Sequence, residues 1–281
     1  MAGFFGLFNY EKEGPGISKN APKKKTFIVF FETFLRNFWK FITINLVYTL
    51  ISAPMLTNGL ANVGLTNVTR NIARDKHSFG LSDFFDTIKR NWKQGLASGI
   101  INVLVYIILF FDFSFFNAQS NKTSATIGLG IMFALLFIFT VMNFYIPTLL
   151  ITFKFTLKQI YKNSFKFVFI NIKNNILCLI SLAFFLAIYI TLPLLIPSYF
   201  LLIVTVEFVF FICTFPAFSY LMIQFFIFPS IKKYIIDPYY LEHPDEDIDK
   251  RRDLGIEVDE PKPEKTEDES GEEEPENVFE D

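Results

Sequence analysis

Runs of about 20 apolar residues recur along this chain, at Leu96–Phe116, Ile127–Thr152, Ile176–Ile196 and Tyr199–Phe228. That is the length a helix needs to cross a hydrocarbon core of about 30 Å. The expectation is therefore an all-α membrane protein. Of 281 residues, 52% are hydrophobic and 38 are Phe, which argues against a soluble chain. The formal charge of −2 misleads, because it averages a basic membrane half with an acidic tail.

The number of crossings turns on the stretch from Trp39 to Lys93. Trp39–Ala53 is apolar enough to span, and Pro54 ends or kinks it. Met55–Ala73 is weaker, interrupted by Thr57, Asn58, Asn62, Thr66 and Asn67. As a polar surface helix it leaves five spans; as a crossing it makes six. Charge arbitrates, since short cytoplasmic segments collect Lys and Arg. With six spans and the N-terminus inside, every one of the 26 basic residues except Lys122 is cytoplasmic. With five, only eight are. The expected architecture is six transmembrane helices with both termini cytoplasmic.

Two further helices flank these spans. Phe27, Phe30, Phe31, Phe34 and Phe38 share one face opposite Glu32, Arg36 and Lys40, which predicts an N-terminal interfacial helix. After the second span, Ser82 reads as an N-cap, with Asp83 and Asp86 early and Lys89, Arg90 and Lys93 late. This predicts a short cytoplasmic amphipathic helix whose apolar face includes Leu81. Its residues Asp83, Phe84, Phe85, Ile88, Trp92 and Lys93 form a candidate partner-docking surface, lipid or self-packing being the ordinary alternative. Gly95 and Gly99, four apart, allow a close helix approach; with Pro54 and Gly59 they make the candidate packing set. The fourth span is expected to continue into the cytoplasm. There Lys154, Lys158, Lys162 and Lys166 form a basic stripe that ordinarily snorkels to phosphates.

The expected organisation is a cytoplasmic lead over 1–26, a membrane domain over 27–240 and a tail over 241–281. Lys23-Lys24-Lys25 reads as a topology signal in the lead, and no cleavable signal is expected ahead of the first span. From Glu242 onward there are 19 acidic and five basic residues, so the tail is expected to be disordered.

Chemistry is sparse. Glu207 is the one acid deep in a predicted span, and such residues raise a functional question by default. A neutral, hydrogen-bonded Glu207 is the ordinary reading; a proton or cation relay is the other. Asn45, Asn102 and Asn143 are polar span residues that could line a path. Cys178 and Cys213 read as structural, and His77 and His243 lack metal-ligand spacing. No catalytic, cofactor-binding or nucleic-acid-binding pattern is found, so an enzyme is not expected.

Pro54, Thr57, Gly59 and Ala61, then Arg74-Asp75, Asp83-Phe84-Phe85 and Lys89 to Lys93 resemble the core pattern of the YesL-like family. These are bacterial membrane proteins catalogued as a domain of unknown function and often encoded beside carbohydrate uptake systems. The opening FFGLFNYEKEGPGISKNAPKKK resembles the N-terminus of longer members, and the likeness covers about residues 1–240. The asparagine-rich second span departs from the more apolar segment of that pattern. The resemblance implies a non-catalytic accessory or assembly protein of the bacterial plasma membrane. Its partners would be the bilayer and subunits of an ABC-type carbohydrate transporter. The alternative is a small transporter or channel that uses Glu207.

Overall fold

Helices account for nearly all of residues 25–242, which are the residues described by a computed structural model of the protein. In chain order they are α1 (Thr26–Arg36), α2 (Phe38–Ser52), α3 (Asn58–Ala73), α4 (Leu81–Asn117) and α5 (Lys122–Thr152). Then come α6 (Leu157–Ile170), α7 (Ile172–Leu195), α8 (Phe200–Ile231) and α9 (Asp237–Glu242). The described residues up to Ile231 form one compact unit. The second unit begins at Lys232; within its described part, a π-helical turn over Lys232–Ile236 leads into α9. The N-terminal lead and nearly all of the acidic tail expected from the sequence lie outside the described residues.

Among the described residues, four helices are long and apolar enough to cross a membrane: α4, α5, α7 and the run containing α8. Helix α2 is apolar but shorter. Their exposed faces are dense in large apolar side chains, such as Leu104 and Ile108 on α4 or Leu201 and Phe208 on α8.

The polar segment after Pro54 forms α3 and packs against α2, α4, α5 and α8. Ten of its 16 residues are buried, including Thr66, Asn67 and Thr69. Its polarity is enclosed by protein rather than turned to a surface. Close approach is possible because Gly59 meets the backbone of Gly95 and Gly99; a Cβ at Gly59 would overlap the Gly95 carbonyl oxygen. Beyond Gly99, α4 continues for 18 residues to Asn117, about 27 Å of helix.

The short amphipathic helix and the third span follow one another within α4 and are divided, as the sequence suggests, by a kink at Asn91, whose side-chain amide donates to the Thr87 carbonyl at 3.0 Å. Two sequence expectations are corrected. The N-cap of α4 is Gly80 at φ 66°, not Ser82; the Asp83 carboxylate instead accepts from Ser78 Oγ and Phe79 N–H in the preceding loop. The fourth span does not run on, because a capping box between Thr156 and Gln159 starts the separate helix α6.

The aromatic face of α1 is turned partly into the protein, while Phe27 at its start is exposed. Phe30 and Phe34 are buried, with ring centroids 5.2 and 5.3 Å from Phe218 of α8. Phe34 also stacks on Phe41 at 5.4 Å. Leu65, Val68, Ile72 and Phe84 complete this core. Such edge-to-face and stacked pairs add about 0.5–1.5 kcal/mol each beyond area burial.

Helix α8 carries Pro216 within it. The Asn45 amide lies beside this proline, donating to the Cys213 carbonyl at 2.7 Å and accepting from Ala217 N–H at 2.8 Å. A side chain from α2 thus pairs two backbone groups of α8 in low dielectric, next to a residue with no N–H to give.

Candidate functional site

A cavity of about 800 Å³ opens between α2, α3, α4, α5 and α8. Four carboxamides line it, Asn58 and Asn62 from the first turns of α3, Asn102 from α4 and Asn143 from α5, together with Tyr48, Tyr106 and Tyr220. The Tyr48 hydroxyl donates to Asn62 Oδ1 at 2.9 Å, and Asn143 donates to the Phe139 carbonyl at 2.9 Å. Asn58 Oδ1 and Asn102 Oδ1 are buried without a hydrogen-bond partner. No charged side chain lines the space. Its size is ordinary for a small-molecule site. Neutral amides, phenols and ring faces together suit an uncharged ligand that can both donate and accept hydrogen bonds.

The sequence-level candidates are only partly gathered here. Asn102 and Asn143 line the cavity, whereas Asn45 is committed to the α8 backbone beside Pro216. Glu207 is half-buried in the N-terminal part of α8 and lies away from this lining. Among the described residues it makes no hydrogen bond or ion pair.

The docking candidates divide between two faces of α4. Phe84 is buried, Asp83 is held by the loop before the helix, and Ile88 packs on the core. Phe85, Trp92 and Lys93 are exposed, and Phe79 in the preceding loop is 74% exposed. Lys154, Lys158, Lys162 and Lys166 are all exposed, Lys154 in the break before α6 and the rest on it. Pro54 caps the one-turn 3₁₀ segment that joins α2 to α3. Gly59, Gly95 and Gly99 meet, as described above.

A second polar centre holds α5, α6 and α7 together. The buried Tyr145 hydroxyl donates to Asn175 Oδ1 at 2.7 Å and accepts from Asn171 Nδ2 at 2.9 Å. Asn175 in turn donates to the Phe167 and Val168 carbonyls. These caps satisfy the end of α6, so the cluster is structural.

Sequence reasoning missed Tyr48, Tyr106 and Tyr220, since aromatics in an apolar run read as lipid-facing bulk. It also missed Gln224, which is buried and donates to Thr148 Oγ1 at 2.9 Å. A polar residue inside an apolar run was the available signal in each case. Outside the spans, burial pushes the Tyr161 hydroxyl of α6 up to about 12.

Residues 41–113 match the family described as "Protein of unknown function, DUF624". The match takes in most of α2, all of α3 and α4 as far as Phe113. It therefore covers the hairpin, the glycine crossing and much of the cavity wall, including the stretch on which the sequence resemblance chiefly rests. The comparisons with curated proteins and with solved structures return no match. The chain is a helical, multi-pass membrane protein with a segment similar to this family of unknown function.

Proposed function

We propose that the protein is a non-catalytic accessory or assembly component of a carbohydrate uptake system in the bacterial plasma membrane. This is the role that the YesL-like resemblance implies. The observation that carries it is the two-sided start of α4. Phe84 and Thr87 anchor this helix in the core, while Phe85, Trp92 and the neighbouring Lys89 and Lys93 remain exposed. Exposed aromatics flanked by cations on a helix anchored in the core are what a docking surface for transporter subunits needs.

In this reading both termini are cytoplasmic. Six crossings would require α2 and α3 each to span, yet 15 and 16 residues reach only about 24 Å. Their lengths, and the extension of α4 past Gly99, favour four full crossings plus a hairpin that enters and leaves by the cytoplasmic side. Either arrangement returns the chain to the same face, so the charge argument is unchanged.

Purification of the intact protein in mild detergent from its own cells tests the role. Transporter subunits should co-purify, and Trp92→Ala combined with Phe85→Ala should release them while the protein stays folded. Retention of those subunits by the double variant would count against the docking face.

The cavity favours a second reading, a small transporter of neutral hydroxylated molecules. Its gate would not involve Glu207, which lies away from the lining. Sugar flux in liposomes containing only this protein would select it over the first.

A further inference from the structure

We propose that a cavity of about 170 Å³ bordered by Arg70, Arg74 and Gln224 binds a phosphate-class oxyanion, supplied by a lipid headgroup or by free phosphate. The proposal is independent of the accessory reading.

The cavity sits at the C-terminal ends of α3 and α8, with Thr26 of α1 at its rim and Phe225, Phe228 and Pro229 as apolar walls. Arg70 is the decisive residue. Its Nη1 donates to Thr152 Oγ1 at 2.8 Å and its Nη2 to Asn67 Oδ1 at 2.9 Å, both neutral acceptors. Its Nε is buried with no hydrogen-bond partner. The Arg74 guanidinium lies 3.6 Å above the Phe228 ring, and Arg90 is near enough to repel Arg70. Both acceptors of Arg70 are therefore uncharged, and no carboxylate is among the described residues that line the cavity.

Partial burial of a guanidinium with only neutral acceptors is costly. An oxyanion removes that cost, and the planar fork of Arg matches its oxygens. Gln224 adds a second requirement. It is 1% exposed, its Nε2 is engaged by Thr148, and its Oε1 is buried without a partner. A phosphate that keeps one proton meets both needs, accepting from Arg70 Nε and donating its P–OH to Gln224 Oε1. A carboxylate has no proton left to give, which is why the phosphate class is preferred.

Thermal unfolding of the full chain in phosphate-free detergent solution tests this. One probe is inorganic phosphate against sodium chloride at matched ionic strength. The other is phosphatidic acid against uncharged diacylglycerol in mixed micelles. A responding probe at ten times its Kd should raise the midpoint by roughly 4 °C. Arg70→Gln should cut that rise by roughly fivefold, and Lys122→Gln, which is not among the lining residues, should keep it. A response to inorganic phosphate identifies a soluble anion; a response to phosphatidic acid alone identifies a headgroup. If Arg70→Gln does not fold, Ala73→Leu, which fills the cavity, must abolish the response in a folded protein. The proposal is overturned if neither probe shifts the midpoint beyond its control. It is equally overturned if the cavity variants respond as the unaltered protein does.

Discussion

Helices α3 and α7 differ in a way that composition alone would order wrongly. Helix α7 is almost wholly apolar, yet three of its 24 residues are buried by protein. Helix α3 carries asparagines and threonines, yet ten of its 16 are buried. In a bilayer an apolar side chain gains little by leaving lipid for protein, so apolarity reports lipid exposure. A polar segment must instead be enclosed and hydrogen-bonded. Polar α3 is thus packed among α2, α4, α5 and α8.

The sharpest way to break this contrast is to crowd the enclosed crossing. Gly59→Val should overlap the Gly95 and Gly99 backbone and destabilise by about 3 kcal/mol, read as lost folded yield and a lowered unfolding midpoint in detergent. A matched truncation separates the two regions directly. Leu65→Ala, fully buried in α3, should cost about 3 kcal/mol, while Leu104→Ala, 54% exposed on α4, should cost under ~0.5 kcal/mol. Equal losses would mean that lipid-facing and protein-buried side chains contribute alike, against this contrast. Asn45→Leu should strand the Cys213 carbonyl and the Ala217 N–H and cost about 2 kcal/mol, with faster hydrogen exchange at Ala217. The exposed Arg36–Asp75 pair marks the low end: Asp75→Asn should change the denaturant midpoint by less than ~0.5 kcal/mol.

Much of the helical frame was legible. The four long spans begin and end near the positions expected from apolar runs, because lipid imposes both length and hydropathy. The role of Asn45 was not legible, since it depends on Pro216, 171 positions later, arriving beside it. The kink of α4 at Asn91 was legible, because the chain changes character there from amphipathic to apolar. The break before α6 was written in Thr156 and Gln159, but the regular lysine spacing across it suggested an unbroken helix. Of the cavity, Asn102 and Asn143 were visible as polar residues in apolar runs. The tyrosines were not, because a ring alone does not say which way its hydroxyl turns.

The account rests on α3 returning the chain to the side from which α2 departed. In a background with Cys178→Ala and Cys213→Ala, single cysteines at exposed positions His77 and Ser120 report sidedness through an impermeant maleimide on sealed, right-side-out cells. The account predicts labelling of Ser120→Cys, with His77→Cys labelled only after the membrane is opened. Labelling of His77→Cys on sealed cells would contradict it.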